Sequence, residues 1–313
     1  MEFMEKEIFK DYENCKVCPR NCGVNRYKTK GYCKMPSELY LSKAYLHMWE
    51  EPPISGNEGS GTVFFTGCSL KCIYCQNYKI ALGNFGTEVD SKKLAQIYLK
   101  LQDQGANNIN LVTPSHYIPT IIKSLEIAKK DLVIPVVYNT SSYDNVDCLK
   151  KLEGLVDIYL ADFKYFDESL AKNYSNAPDY VEVCKKAIDE MFRQVSEVVF
   201  DDNDMMKKGI IVRHLMLPGH LEDSKKIVKY LYDKYKDNIY LSLMNQFTAV
   251  RKLKYENLNG KVSQSDYDEL IDYAIDLGVE NAFIQEGGAV GESFIPDFNL
   301  DGVLDDSTLE NDF

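Results

Sequence analysis

The sequence predicts an α/β fold organised around a parallel sheet, either a (β/α) barrel or an open doubly wound sheet. Three observations carry this expectation. After Gly61, short β-branched or aromatic runs alternate six times with longer amphipathic stretches, as parallel strands joined by right-handed helical crossovers do. The 313 residues suit one large domain with an appendage. Nearly every expected strand ends in polar residues, and both architectures keep their sites at the carboxyl ends of the strands.

Taken in order, strands are expected at Thr62–Phe65, Asn108–Val112, Val133–Tyr138, Asp157–Ala161, Ile210–Met216, Ile239–Met244 and Ala282–Gln285. Ser91 suits an N-cap for a helix through Leu94, Ile97, Tyr98 and Leu101, with Gly105 just beyond its end. Further helices are expected near 118–129, 143–152, 180–199, 222–236 and 266–277, the last closed by Gly278. The strand ends carry Cys68, then Thr113, Ser115 and His116, then Asn139, Thr140 and Ser141. Asp162 and Lys164 come next, followed by Arg213 or His214, Asn245 and Gln246, and finally Gln285 and Glu286. Residues 201–208 read as a solvated loop, and 297–313, with six acids and no base, as an acidic mobile tail.

Composition narrows the partners. The chain is 45% hydrophobic and 27% charged, and apolar runs such as Leu132 to Val137 are too short to span a bilayer. With 36 basic against 48 acidic residues the net charge is −12, so the average surface repels a phosphate backbone. Neither nucleic acid nor membrane is an expected partner. The first residues lack the basic and apolar regions of a secretory signal, so a cytoplasmic location is expected. In such a setting nine cysteines point to metal or redox chemistry rather than disulfides.

Seven of the nine fall in two groups. Cys68, Cys72 and Cys75 follow the first expected strand with C-x3-C-x2-C spacing, which lets one tight loop wrap three thiolates around one side of a compact cluster. Three protein ligands leave a coordination position open, whereas a structural zinc site closes with four. In a 4Fe–4S cube, three cysteines hold three irons and the fourth stays free. Cys15, Cys18, Cys22 and Cys33 form a separate four-ligand set with C-x2-C-x3-C-x10-C spacing. Four thiolates saturate a metal, so this second site is read as zinc or a second iron–sulfur cluster. Arg20 and Arg26 lie beside it, placed to steady a negative site or simply solvated. Cys148 and Cys184 fit buried helix positions.

The cysteine triad, with Tyr74 before its third member, resembles the radical S-adenosylmethionine superfamily. The wider run from His47 through Asn77, together with Val136–Ser142, Asp162–Tyr165, Arg213–His220 and Leu243–Gln246, resembles an uncharacterised branch of pyruvate formate-lyase activating enzyme-like proteins. The resemblance covers roughly residues 12 to 298 and resolves the fold to a partial (β/α)6 barrel over 59–296. An amino-terminal cysteine-rich extension at 1–58 precedes it and the acidic tail at 297–313 follows.

The cofactors implied are a 4Fe–4S cluster on Cys68, Cys72 and Cys75 and S-adenosylmethionine, cleaved reductively to a 5′-deoxyadenosyl radical that abstracts hydrogen. An electron donor such as flavodoxin or ferredoxin is implied with them. By the same resemblance Tyr74 contacts the adenine region. Activating enzymes of this kind carry a Gly-Gly-Glu stretch at the second strand for the cosubstrate amino group, whereas this chain has Thr113-Pro114-Ser115-His116. Thr113 and Ser115 offer oxygens to an ammonium but no carboxylate. Asp162 and Lys164, two apart on a strand and so on one face, are candidates to supply the missing polarity or to form a structural pair. Asn139 is a further strand-end candidate. Arg213 and His214 face opposite sides of their strand, and Arg213 is the candidate for the cosubstrate carboxylate. Glu50 and Glu51 are candidates for a supporting or substrate-contacting role, or belong to a plain surface loop. The resemblance implies a radical enzyme that activates a glycyl-radical protein. Modification of a small molecule or another peptide is the alternative, and a non-enzymatic metal or electron-transfer protein is the reading from a different class.

Overall fold

A computed structural model describes residues 10–285 and 296–304. β1 (Leu39–His47) leads through α1 (Pro52–Ser55) into β2 (Ser60–Phe65), and the triad loop follows. Next come α2 (Tyr78–Ala81), β3 (Thr87–Val89), α3 (Ser91–Asp103), β4 (Ile109–Val112), α4 (Ile118–Ala128), β5 (Val136–Thr140) and α5 (Val146–Leu149). The chain continues with β6 (Ile158–Asp162), α6 (Glu168–Ser175), α7 (Tyr180–Gln194), β7 (Val199–Phe200), β8 (Met206–Leu215), α8 (Leu221–Tyr235), β9 (Tyr240–Met244), α9 (Gln264–Leu277) and β10 (Ala282–Ile284).

The ten strands of the described residues belong to one sheet system, ordered β10-β9-β8-β6-β5-β4-β2-β1-β3, with β7 beside β8. Along that order every neighbouring pair from β2 to β10 is parallel, while β1 runs antiparallel to β2, β3 antiparallel to β1 and the side strand β7 antiparallel to β8. β2, β4, β5, β6, β8 and β9 are each followed by a helix, which gives the expected partial (β/α)6 barrel with β10 as a further parallel strand at its edge.

Period-two alternation gives each central strand two apolar faces. In β5, Tyr138 joins the large core formed with the helices, while Val137 turns inward onto Ile54, Ile158, Leu160, Met206 and Ile211. This smaller cluster plugs the amino-terminal end of the barrel, and each such side chain contributes about 1.5–3 kcal/mol on burial. Asn107 and Asn108 tie the plug down by donating to the carbonyls of Ser55 at 2.6 Å and Ile54 at 2.7 Å.

Several local expectations are corrected. The cap of α3 is Asp90, whose carboxylate accepts from the Lys93 amide, and Ser91 is the first helical residue. The helix expected over 180–199 stops at Gln194, because Val199–Phe200 pair with β8. That over 143–152 shrinks to α5 and one 3-10 turn. Met206 to Lys208 open β8 rather than extend a loop. Gly278 closes α9 in the left-handed conformation, as expected. β1 lies inside the 1–58 segment, where polar Ser42 and Lys43 interrupt its pattern.

Residues 297–304 of the expected acidic tail run along β1, and 305–313 lie outside the described residues. Lys43 donates to the Asp297 carbonyl at 2.7 Å and pairs with Asp301 at 3.3 Å. The Ala44 amide donates to the Asp301 carbonyl and the Leu300 amide to that of Ser42. Among the described residues no helix is long and apolar enough to cross a membrane.

Candidate active site

β2 is buried along its length and delivers the triad loop to the carboxyl end of the barrel. Gly67 takes φ +90°, and a Cβ there would lie 2.9 Å from the Cys33 carbonyl and 3.0 Å from His116 Nε2, so this position requires glycine. The loop reverses at Lys71, also at positive φ, which turns the Leu70 and Lys71 amides onto Cys68 Sγ at 3.3 and 3.4 Å. Ser175 donates its hydroxyl proton to Cys72 Sγ at 3.1 Å. Donors of this kind stabilise bound thiolates and tune what they hold.

Cys68, Cys72 and Cys75 line one cavity of about 270 Å³ with Tyr74, Thr113, Asn139, Asp162, Lys164 and Arg213. Burial pushes the Cys68 thiol up and the Cys75 thiol up to about 12. These groups therefore become thiolates at neutral pH only when a metal replaces their protons. A larger cleft of about 740 Å³, walled by Phe200, Tyr240 and Phe283, opens at the other end of the strands and holds no thiol. The three thiols and the strand-end polar residues share the smaller cavity, at the carboxyl ends where barrels of this architecture keep their sites.

The cavity floor is a buried ring of charge. Arg213 Nε donates to Asp162 at 2.9 Å, Nη1 to Glu50 at 3.0 Å and Nη2 to Asn139 at 2.6 Å. Glu50 also accepts from Asn110 at 2.8 Å and Asn139 at 3.3 Å, and Lys164 pairs with Asp162 at 2.7 Å. Burial pushes the Asp162 carboxyl up, but Arg213 and Lys164 outweigh it and hold Asp162 below the usual carboxylate range. Burial likewise pulls Lys164 down, and Asp162 more than restores it. Glu51 is buried beneath the ring, which raises its carboxyl, and one of its oxygens lacks a partner.

Most of the expected site residues meet here. Arg213 faces inward and His214 outward, where His214 contacts the Phe163 carbonyl and the Ser224 hydroxyl, both at 2.8 Å. Thr113 sits on the cavity wall at φ +61°, a conformation that costs a β-branched residue about 1–2 kcal/mol. Tyr74 is buried, hydrogen bonded to Tyr165 at 2.7 Å, and burial raises its hydroxyl well above the usual range. Ser115 does not line the cavity: a 3-10 turn over Ser115–Tyr117 carries it to within 3.4 Å of the Thr140 hydroxyl. His116 is likewise off the cavity, bonded to the Thr66 carbonyl at 2.8 Å. Gln246 lines the cavity, and Glu286 lies outside the described residues. Asn110 and His47 were not anticipated, and Glu50 was foreseen only as a loop candidate. Glu50 arrives on the chain between β1 and β2, His47 ends β1 and Asn110 lies on β4.

The amino-terminal cysteines pack behind the triad loop. Cys15, Cys18 and Cys33 are buried and Cys22 is partly exposed, and none of the nine cysteines is in a disulfide. Burial pushes Cys15 up and Cys18 up to about 12. Arg26, 1% exposed, donates to the Pro36 carbonyl at 3.0 Å and to that of His116. Arg20 donates to the carbonyls of Ser69 at 2.8 Å and Ser175 at 2.9 Å, so both arginines are structural rather than solvated. Cys148 and Cys184 are buried as expected.

Among the described residues no three His, Cys, Asp or Glu side chains converge at the spacing of a single ion. Three thiols on one cavity wall, two of them receiving hydrogen bonds, instead fit a 4Fe–4S cube with one iron left open. Residues 62–231, more than half of the chain, match the family model of the radical SAM superfamily. The uncharacterized protein MJ0674 of Methanocaldococcus jannaschii is 29% identical over 279 residues, covering 86% of this chain and 75% of that protein. Streptococcus suis SuiB bound to S-adenosylmethionine superposes with a TM-score of 0.49 at 16% identity, over 70% of this chain and 48% of SuiB, so the chain spans about half of that protein. A domain of a pyruvate-formate lyase-activating enzyme from Bacteroides vulgatus gives a TM-score of 0.39 at 14% identity, over 54% of this chain and 92% of that domain. With the matched segment enclosing the triad loop and the charged ring, the chain belongs to the radical SAM superfamily, whose members bind a 4Fe–4S cluster and S-adenosylmethionine.

Proposed function

We propose that Cys68, Cys72 and Cys75 hold the 4Fe–4S cluster, that the cavity below them holds S-adenosylmethionine, and that the enzyme abstracts hydrogen from a polypeptide. The observation that carries this reading is the sharing of one cavity by three thiols and the charged ring of Glu50, Asp162, Lys164 and Arg213. When bound, the cluster supplies one electron to the sulfonium and so releases a 5′-deoxyadenosyl radical.

The chain's own residues bind and orient. Arg213 already engages three partners and acts as a positioning residue that fixes Glu50 and Asp162. The Lys164 ammonium hydrogen bonds, among the described residues, to Asp162 alone. Its remaining donors suit the cosubstrate carboxylate, a role the sequence suggested for Arg213. Glu50 and Asp162 supply the carboxylate chemistry missing at Thr113-Pro114-Ser115-His116 and suit the cosubstrate ammonium. Buried Tyr74 offers an apolar face for an adenine ring. Leu70, Val112, Leu215 and Met244 share the lining and exclude water from it.

Trp49 lines the cavity yet is 62% exposed, and its neighbour Met48 is 43% exposed. Exposed aromatic and thioether groups at a cavity mouth favour a macromolecular substrate over a small molecule. A glycyl-radical protein is the case that the sequence resemblance supports.

The test is turnover. Anaerobically reconstituted protein with dithionite and S-adenosylmethionine is expected to release 5′-deoxyadenosine, and Cys72→Ala to abolish that release. A fully iron-loaded protein that releases no nucleoside overturns the reading. Incubation with candidate glycyl-radical proteins should then leave a carbon-centred radical on the partner, seen by electron paramagnetic resonance.

A further inference from the structure

We propose that Cys15, Cys18, Cys22 and Cys33 hold a second, redox-active iron–sulfur cluster that passes single electrons to the cluster on the triad. The relay rests on the triad reading above; the presence of the second cluster does not.

The amino-terminal segment is folded as a thiol cradle. Cys15 exchanges backbone hydrogen bonds with Gly23 and Val24, each at 3.0 Å, and left-handed Asn21 and Gly23 bend the chain between them. Cys33 Sγ and Cys22 Sγ lie 3.3 and 3.7 Å from the point where a Cβ on Gly31 would sit, so the two sulfurs are within about 7 Å of each other, the sum of those distances. A zinc ion with bonds of about 2.3 Å needs its four sulfurs to converge on one point. The described thiols converge on no such point, whereas a cube with all four irons ligated takes four thiolates without requiring one. Four thiolates on a cube leave net negative charge, and buried Arg26, close enough to Cys15 and Cys33 to feel their charge, compensates it.

The cradle abuts the triad loop directly. The Cys33 carbonyl is 2.9 Å from the Cβ that Gly67 lacks, and Gly67 immediately precedes Cys68. Lys71 donates its amide to Cys68 Sγ and its ammonium to the Tyr32 carbonyl at 2.7 Å, with the ammonium 3.7 Å from the Tyr32 ring centre. Arg20 also lies over that ring, at 4.3 Å, while holding the Ser69 carbonyl. Partly exposed Cys22 gives an external carrier an entry edge. A reduced low-potential carrier protein, of the flavodoxin or ferredoxin class, gives up one electron to the amino-terminal cluster and is itself oxidised. The same electron then passes to the triad cluster, with no proton or bond exchanged.

The test uses the full chain carrying Cys68→Ala, Cys72→Ala and Cys75→Ala. After anaerobic reconstitution it is expected to retain about four irons and four sulfides and to show a half-integer-spin signal with dithionite. One equivalent of zinc, or no metal, overturns the second cluster while leaving the triad reading untouched. Wild-type protein holding only about four irons, all lost on Cys15→Ser, Cys18→Ser, Cys22→Ser and Cys33→Ser, instead overturns the triad reading. For the relay, dithionite-reduced wild-type protein is expected to give about two spins per chain with a spectrum broadened by magnetic coupling. Two uncoupled signals overturn the relay. This measurement needs no variant to fold.

Discussion

The two cysteine regions carry the same side chain in opposite settings. The triad sits at a strand end and looks into a cavity floored by Arg213, Asp162, Lys164 and Glu50. The amino-terminal set is closed in by its own turns, with buried Arg26 as its countercharge. The contrast teaches that access, more than side-chain type, distinguishes thiols open to a cavity from thiols enclosed by their own segment.

The largest effect expected to sharpen this contrast comes from Arg213→Met. It leaves buried Glu50 without a cation and Asp162 with Lys164 alone, which costs about 3–5 kcal/mol. Denaturant unfolding should show that loss, together with weaker S-adenosylmethionine binding, while metal at the amino-terminal set stays constant. Equal metal loss from both regions would break the contrast. A smaller effect, about 3 kcal/mol, is expected from Gly67→Ala, which forces a side chain into a left-handed position against the Cys33 carbonyl. Because Gly67 lies on the seam, iron analysis should show both regions disturbed, and damage confined to the triad would show that the seam transmits nothing.

The smallest effect concerns pH. Burial lowers His214, behind the barrel strand that carries Arg213, to about 4. Its folded value lies below the ordinary 6.5, so the neutral ring's contribution is complete above 6.5 and is lost as pH falls toward 4. Unfolding at pH 5 should show a deficit of about 2 kcal/mol relative to pH 7. His214→Asn should flatten that slope, and an unchanged slope in the variant would remove His214 as its source.

What could be read from the chain alone followed from local spacing. The triad is legible because C-x3-C-x2-C brings its ligands together whatever surrounds them. Opposed Arg213 and His214 are legible because a strand alternates every second residue. Glu50 was harder to place, since its role depends on Asn110, Asn139 and Arg213 from three separate strands. Ser115 was misplaced because sequence gives no sign that a 3-10 turn after Pro114 swings it toward Thr140. β1 escaped notice because it is covered on both sides, so its polar Ser42 and Lys43 are paired rather than solvated.

That coverage has a practical side. β3 meets β1 only over Leu39–Leu41, and Leu300 and Asp301 satisfy the Ser42 carbonyl and Ala44 amide beyond it. Gly302 is packed so tightly on the Ala44 carbonyl that no side chain fits there. A chain cut after Pro296 would bare unpaired amides and carbonyls on a flat border, an invitation to self-association. A shortened chain made for crystallisation should therefore keep these few residues even though they lie far from the triad.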